Sequence, residues 1–438
     1  MPAPDIRPNR LDKAEIDKNF ADLHPPLSRG EALIEADRCY FCYDAPCTTA
    51  CPTGIDIPSF IQKIRSDNLR GSAHTILSEN IMGGMCARVC PTEVLCEEVC
   101  VRNTHEDKPV EIGLLQRYAT DPIFEDGTQL FKRAASSGKR VAIVGGGPAG
   151  LSCAHRLAML GHDVSVFNRD ARRGGLNEYG IAAYKAVDDF AQREVGYILS
   201  IGGIDFQDNV ELGRDVSLAS LRDDFDAVFL GIGLAAVNDL GLDNENLPGV
   251  ENATDYIADL RQVEDKSTLP VGRNIVVIGG GMTAIDIAVQ SKRLGAEKVD
   301  LVYRRGPEDM SASEFEQHLA QTSGVTVHHW LHPKALHGGD HVTAIEFDKN
   351  GQSIVLEADV VFKAIGQKLA DKQLASDLQG IDVDGGKIIV DGDQATSVVG
   401  VWAGGDCVAG GDDLTVSAVQ QGKVAAIAID SYLGGEHG

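Results

Sequence analysis

The chain has 438 residues and is 43% hydrophobic, which is enough for about three domains with cores of their own. Its formal net charge of -25 disfavours nucleic acid or an anionic membrane surface as the main partner. The N-terminus carries no export signal, and glycines and Asp286 interrupt the apolar stretch 275–289, so we expect a cytoplasmic protein without a membrane span.

Residues 1–30 are polar and carry Pro25-Pro26, which predicts an extended arm. From residue 29 to 118 the pattern is helical and interrupted by cysteine-bearing loops. Ile57, Phe60, Ile61 and Ile64, for example, share one face of a helix. We expect this part of the chain to form one α-helical domain.

Eight of the ten cysteines fall inside this helical part, in two runs with short gaps and two Cys-Pro pairs. The runs are Cys39, Cys42, Cys47 and Cys51, then Cys86, Cys90, Cys96 and Cys100. Such spacing is typical of ferredoxin-type [4Fe–4S] sites that share ligands between runs, whereas zinc sites usually show two C-x-x-C pairs. Counting alone gives two all-cysteine clusters that use all eight thiolates.

Two glycine-rich turns follow, each between a short apolar strand and a helix. The first strand, 141–144, leads into Gly-Gly-Gly-Pro-Ala-Gly at 145–150, and the second, 275–278, leads into Gly-Gly-Gly-Met-Thr-Ala at 279–284. Glycines at these positions let the backbone approach a pyrophosphate that faces the helix N-terminus. Two such motifs predict two dinucleotide-binding domains.

A later strand ends in Gly404-Gly405-Asp406, and an apolar helix starts at Thr415-Val416. In FAD-binding domains, a late strand that ends in Gly-Asp and the helix after it usually accompany an N-terminal glycine turn. We therefore expect the FAD domain to be split by the second nucleotide domain. The expected hinges are 231–233 and 364–366. The expected domains are an α-helical iron–sulfur domain at 1–120, the FAD domain at 139–237 and 366–438, and the NAD(P)H domain at 238–365.

The residue that ends the second strand of a Rossmann unit meets the adenosine ribose. In the first unit this residue is Asn168, in place of the usual acid. In the second unit the strand ends in Arg304-Arg305, which favours the 2′-phosphate of NADPH over NADH. The flavin step needs no general acid or base from the protein, so we assign no catalytic residue.

These motifs, together with Gly174-Gly175-Leu176 and Tyr179-Gly180-Ile181, resemble the small subunit of bacterial glutamate synthase and the N-terminal half of dihydropyrimidine dehydrogenase. Nearly the whole chain takes part in the resemblance. One segment separates the two relatives. Ile112-Gly113-Leu114-Leu115-Gln116 places a glutamine where the glutamate synthase subunit typically has Glu, so the chain is most similar to the flavin/iron–sulfur subunit of the bacterial pyrimidine enzymes.

The resemblance implies that Cys39, Cys42, Cys47 and Cys100 hold one cluster, that Cys51, Cys90, Cys96 and Gln116 hold the other, and that Cys86 is not a ligand. The residues expected to bind FAD are Gly145, Gly147, Pro148, Ala149, Gly150, Asn168, Gly175, Leu176, Gly405, Asp406, Thr415 and Val416. Those expected to bind NAD(P)H are Gly279, Gly281, Met282, Thr283, Arg304 and Arg305.

The resemblance further implies a function. NAD(P)H reduces FAD, and single electrons pass through two clusters to a separate FMN/iron–sulfur barrel subunit that reduces uracil or thymine, in a heterotetramer or larger complex. The rival interpretations are a glutamate synthase subunit and a redox sensor or scaffold without turnover.

Overall fold

A computed structural model describes residues 11–369, 374 and 377–434 of the chain. The chain divides into two compact units. One unit contains His24–Glu178, Asp188–Ala235 and the chain from Leu369 onward, and the other contains residues 11–23, Tyr179–Val187 and Ala236–Lys368. The boundaries between residues 235 and 236 and between residues 368 and 369 fall a few residues beyond the expected hinges at 231–233 and 364–366.

The larger unit begins with a helical part around a core of apolar side chains that includes Phe60, Ile76 and Leu115. The four apolar residues between 57 and 64 that share a predicted helix face are all buried, which confirms that prediction. The helices are Arg29–Asp37, Pro46–Ala50, Ile57–Arg65, Leu69–Glu79, Gly83–Val89, Asn103–Glu106 and Ile112–Asp126, with a short 3₁₀ turn at Thr92–Val94.

The same unit contains a five-stranded parallel sheet. In spatial order its strands are Val401–Ala403, Ala227–Leu230, Arg140–Val144, Asp163–Asn168 and Ile204–Asp208. The strand that returns late in the chain pairs Val401 with Val228, so one sheet is built from two distant segments. Its helices are Pro148–Met159, Leu176–Tyr179, Phe190–Leu199, Leu218–Asp224 and Thr415–Tyr432, and a small hairpin joins Val383–Asp384 to Lys387–Ile388.

The second unit repeats the arrangement with another five-stranded parallel sheet. Its strands are, in spatial order, Val250–Asn252, Val360–Lys363, Asn274–Ile278, Lys298–Tyr303 and Thr326–His329. An antiparallel sheet of His332–Gly338, Val342–Lys349 and Gln352–Glu357 packs beside it, and Ala236–Val237 pairs with Gln367–Lys368. The helices are Ala253–Gln262, Met282–Arg293 and Glu314–Thr322, with 3₁₀ turns at Lys266–Thr268 and Pro307–Asp309.

This architecture confirms the predicted fold class, which is a helical domain followed by two Rossmann-like domains, one inserted in the other. Among the described residues, no helix is long and apolar enough to cross a membrane.

The N-terminal segment differs from the predicted extended arm. Residues Lys13–Asn19 form a helix, whose Asp12 N-cap accepts from the Glu15 amide. Ile16 and Phe20 on this segment are buried in the core of the second unit, whereas the sequence placed them with the cluster domain. The cause is the apolar pair itself, since two large side chains four residues apart form a helix face that must be buried.

Candidate cofactor sites

Four cysteines line one cavity in the helical part. These are Cys39, Cys42, Cys47 and Cys100, called here the Cys39 group. The remaining walls are mostly apolar and come from Ile57, Ile61, Val110 and Ile112. The structure therefore brings together the four residues that the sequence assigned to one cluster.

All four residues of the Cys39 group line the same pocket. Among the described residues, no set of three His, Cys, Asp or Glu side chains closes around a single metal ion. Four cysteines around one pocket supply the number of thiolate ligands that a [4Fe–4S] cluster takes. Burial raises the pKa of the Cys47 thiol to about 12, with a further contribution from the nearby Cys39, so a bound cation would favour ionisation of this thiol.

A second set of thiols, Cys51, Cys90 and Cys96, is called here the Cys51 group. The pKa of Cys90 is raised first by a hydrogen bond to Cys86, then by burial and by repulsion from Cys86, Cys96 and Cys51. Burial and repulsion from Cys51 also raise the pKa of Cys96. The three thiols of the Cys51 group are thus neighbours. Cys86 lies beside them, so the all-cysteine alternative stays open.

Gln116 lies on the buried side of helix Ile112–Asp126. Its Nε2 donates to the Gly83 carbonyl at 2.6 Å, on the helix that carries Cys86. This hydrogen bond fixes which atom of the amide points to Gly83 and leaves Oε1 as the atom that could bind iron.

The first glycine turn joins strand Arg140–Val144 to helix Pro148–Met159. Gly145 has a φ of +104°, and a Cβ there would lie 2.2 Å from the Gly231 carbonyl oxygen, so only glycine fits. Gly147 is the N-cap and supplies no side-chain cap, so the first amides of the helix face outward for an anion.

A second loop backs this turn. A Cβ at Gly175 would lie 2.7 Å from the Cα of Gly147, and the Gly174 amide donates to the Gly146 carbonyl at 2.8 Å. Leu176 follows and stays partly exposed. This cradle, which any side chain would fill, fits the pyrophosphate of FAD.

Asn168 ends the second strand as expected, but its side chain is engaged within the protein. Its Oδ1 accepts from the Gly146 amide at 3.2 Å, and its Nδ2 donates to the Asp170 carbonyl at 2.7 Å. Asn168 therefore shapes the glycine turn, and at most one lone pair of Oδ1 is left for a ribose hydroxyl.

The late strand places Asp406 beside the same turn, because a Cβ at Gly405 would lie 3.1 Å from the Ala149 side chain. Burial and the nearby Asp413 raise the pKa of Asp406 to about 6. Thr415 and the buried Val416 begin helix Thr415–Tyr432, which has no side-chain cap. The Thr415 hydroxyl donates to Asn177 at 2.7 Å.

The second glycine turn has the same local geometry. Gly281 is the N-cap of helix Met282–Arg293 and makes no side-chain cap, and Met282 and Thr283 in the first turn are half-buried. A Cβ at Gly280 would meet the Tyr303 ring at 2.5 Å. The turn thus packs against the end of the strand that leads to the two predicted arginines.

Arg304 and Arg305 are exposed at the carboxyl end of strand Lys298–Tyr303. Arg305 lies 3.8 Å from Asp309, a loose contact, and its guanidinium lies 5.5 Å from the Tyr303 ring centroid. Both side chains remain available to a phosphate at this edge of the sheet.

No pattern in the sequence indicates the contacts that join the helical part to the flavin domain. Lys423 Nζ donates to the carbonyls of Thr53 and Glu79, each at 3.1 Å, and to the Glu79 carboxylate at 2.9 Å. Asn177, which accepts from Thr415, also lies 3.9 Å from the Met82 sulfur. The partners are 95 to 370 positions apart in the chain, so no local pattern could have revealed them.

The fold and these sites define an NAD(P)H-dependent oxidoreductase with an iron–sulfur domain. Two family models match the chain: dihydropyrimidine dehydrogenase domain II with a 4Fe-4S cluster at residues 16–128, and pyridine nucleotide-disulphide oxidoreductase at residues 139–422. A thioredoxin reductase structure from T. acidophilum shares the fold, with a TM-score of 0.54 and 21% identity over 67% of this chain and 99% of that one.

Two relatives span almost the full chain. A homologue of PreT, a subunit of NAD-dependent dihydropyrimidine dehydrogenase, from Salmonella typhi is 35% identical over 95% of this chain and 98% of its own. The NADPH glutamate synthase small chain of Escherichia coli is 33% identical over 98% of this chain and 96% of its own. The chain belongs to the family of flavin/iron–sulfur subunits that contains both, which confirms the resemblance drawn from its motifs.

Membership of this family settles the chemical class. The chain is an NAD(P)H-dependent electron-transfer oxidoreductase whose cofactors are a 4Fe-4S centre, FAD and NAD(P)H. The two glycine turns and the cysteine-lined cavity fit these groups.

Proposed function

We propose that this chain is the electron-input subunit of a dihydropyrimidine dehydrogenase. It takes a hydride from NAD(P)H onto FAD and passes single electrons through two [4Fe–4S] clusters to a partner. The partner is an FMN/iron–sulfur barrel subunit of the PreA type, which reduces uracil or thymine. The bound flavin supplies the conversion of a two-electron donor into single electrons.

The observation that carries this proposal is Gln116. Its side chain is buried and its Nε2 is fixed on the Gly83 carbonyl, which supports Oε1 as the fourth ligand beside the Cys51 group. The pyrimidine enzymes that the chain resembles carry a glutamine in this segment. Greater identity to the PreT homologue than to the glutamate synthase subunit, 35% against 33%, agrees with it.

The protein's own residues contribute position rather than proton transfer. The first glycine turn and Asp406 hold the flavin, and the second turn with Arg304 and Arg305 holds the nicotinamide nucleotide. Lys423, in the middle of helix Thr415–Tyr432, ties this helix to Thr53 in the loop after Cys51 and to Glu79 at the end of helix Leu69–Glu79. This contact keeps the flavin domain and the Cys51 group at a constant separation, which single-electron transfer between them requires.

Reconstitution tests the proposal. The purified chain should oxidise NAD(P)H with dyes as acceptors but should form no dihydrouracil anaerobically until a PreA-type subunit is added. Dihydrouracil formed by the chain alone would refute the need for a partner. Glutamate formation with a glutamate synthase large subunit, and none of the pyrimidine reaction, would establish the rival function.

A matched pair of variants at Gln116 sharpens the test. Gln116→Glu keeps an oxygen ligand and should retain about eight iron atoms per chain, whereas Gln116→Ala should lose the centre beside the Cys51 group. If Gln116→Ala keeps its full iron content, the eighth ligand is Cys86 and the argument from this glutamine fails.

A further inference from the structure

The Cys39 group lies beneath an exposed apolar surface. Tyr40 lines the cavity and is 49% exposed, Tyr43 directly after Cys42 is fully exposed, and Val99 directly before Cys100 is also exposed. Single exposed apolar side chains are ordinary, but these three flank three of the four thiols of one group.

The charges around this surface leave a net acidic rim. Arg102 stacks on Tyr40, 3.9 Å from its ring centroid, and forms an ion pair with Glu106, while Arg38 pairs with Glu35 and Glu106. The exposed carboxylates of Asp44 and Glu98 make no ion pair among the residues that the structure describes. The basic side chains are thus neutralised locally and the acidic ones are not.

The Cys51 group, by contrast, lies toward the flavin domain. Cys51 is followed by Thr53, whose carbonyl accepts from Lys423 on helix Thr415–Tyr432. Cys96 is buried and Cys90 is half-buried. The order of electron flow that this arrangement favours is the Cys51 group first and the Cys39 group last.

We propose that Tyr40, Tyr43, Asp44, Glu98 and Val99, called here the Tyr43 surface, form the docking surface for a protein that accepts single electrons and presents a basic face. The inference rests on the proposed electron-input function and adds the place where electrons leave. The stoichiometry is one NAD(P)H and two one-electron acceptors giving NAD(P)⁺, two reduced acceptors and one proton. An apolar centre with a charged rim is the usual composition of such an interface.

Cytochrome c, a basic one-electron haem protein, is the probe. Its anaerobic reduction by the holoprotein and NAD(P)H should slow as ionic strength rises, because rim charges steer association. At low salt, Asp44→Lys/Glu98→Lys should lower the bimolecular rate and weaken binding of ferric cytochrome c by about tenfold each. Tyr43→Ser should weaken binding with little change in salt dependence.

The matched control is Asp205→Lys/Asp223→Lys, which reverses two exposed charges on the flavin domain and should leave both constants near the wild-type values. Iron content and ferricyanide turnover should be unchanged in every variant. Equal losses in the control and in the Asp44/Glu98 variant, or no reduction of cytochrome c by the wild type, would overturn the proposal.

A second arm separates this inference from the proposed function. The same variants are assayed for dihydrouracil formation with a PreA-type subunit. If the cytochrome constants fall as expected but the wild type yields no dihydrouracil, the docking surface stands and the pyrimidine function fails. If the wild type yields dihydrouracil and the Tyr43 surface variants yield it at the same rate, the docking surface fails and the function stands.

Discussion

Glu194 offers the sharpest test of how the helical part and the flavin domain hold together. It lies on helix Phe190–Leu199, is fully buried, and its Oε1 accepts from the Met85 amide at 2.9 Å. Burial raises its pKa from 4.5 to about 8, against smaller opposing effects of the Met85 amide and Arg88. Arg88 is itself held by Asp121 through two hydrogen bonds, at 2.8 and 2.9 Å.

The sign of the pH effect follows from this raised pKa. The folded protein keeps the Glu194 proton at neutral pH and the unfolded chain loses it, so the stabilisation is complete below pH 4.5 and is lost as the pH rises through about 8. The full difference amounts to about 5 kcal/mol at about 1.4 kcal/mol per pH unit. Between pH 6 and pH 9 it amounts to about 3 kcal/mol.

Glu194→Gln should remove this pH dependence. Glutamine keeps the oxygen that accepts from Met85, and its Nε2 replaces an Oε2 that has no hydrogen-bond partner among the described residues. The melting temperature of the wild type should therefore fall from pH 6 to pH 9 by roughly 5 °C more than that of the variant.

The assay is thermal unfolding of the holoprotein by circular dichroism at one scan rate, since unfolding of a chain with bound cofactors is expected to be irreversible. The control is Glu125→Gln, which neutralises an exposed carboxylate on helix Ile112–Asp126 and should follow the wild type. A Glu194→Gln variant that loses as much stability as the wild type over this pH range would refute the argument from burial.

Three further outcomes are expected. Cys51→Ser should lose about half of roughly eight iron atoms per chain and Cys86→Ser none, and an equal loss in both would restore the all-cysteine assignment. Arg304→Ala should lower kcat/KM for NADPH more than for NADH, and equal changes would show that Arg304 does not contact the 2′-phosphate. Wild-type FAD retention should weaken below about pH 6, where Asp406 gains a proton, and retention by Asp406→Asn should be flat between pH 5 and pH 8.

The sequence predicted those features whose signal is local. Ile57, Phe60 and Ile61 recur at helical spacing, and the structure buries them on one helix face. Both glycine turns were recognised because their glycines are required by steric contacts within a few residues or with the next strand, as at Gly145. The resemblance to the family assigned the four cysteines of the Cys39 group to one cluster, and the structure places them around one cavity.

Contacts between distant segments were not predictable. The helix Lys13–Asn19 belongs to the second unit and buries Ile16 in the core of that unit. The polar composition of this segment and the Pro-Pro pair after it predicted an extended arm instead. Asn168 is expected at a ribose, and the hydrogen bond that its Oδ1 accepts from the Gly146 amide, 22 positions away in the chain, was not predicted. Nothing in the local sequence distinguishes Glu194 from an exposed helical glutamate, because its burial depends on contacts with a segment 109 positions away.

The buried charges at the junction of the helical part and the flavin domain share one physical consequence. A buried ionic group stabilises little, because its desolvation offsets the Coulomb gain, but it penalises every arrangement in which its partner is displaced. Lys423 has three oxygen partners on the helical part, and Arg88 has a bidentate partner in Asp121. Removing Lys423 should therefore affect the precision of this junction more than its stability.

The variant Lys423→Met keeps the apolar stem but loses the contacts of the ammonium group with Thr53 and Glu79. It should slow reduction of the clusters. NAD(P)H oxidation by ferricyanide should stay near the wild-type rate, because ferricyanide can take electrons directly from the flavin. Stopped-flow absorbance of flavin and clusters separates the two steps, and an equal slowing of both would show that Lys423 acts on the flavin site itself.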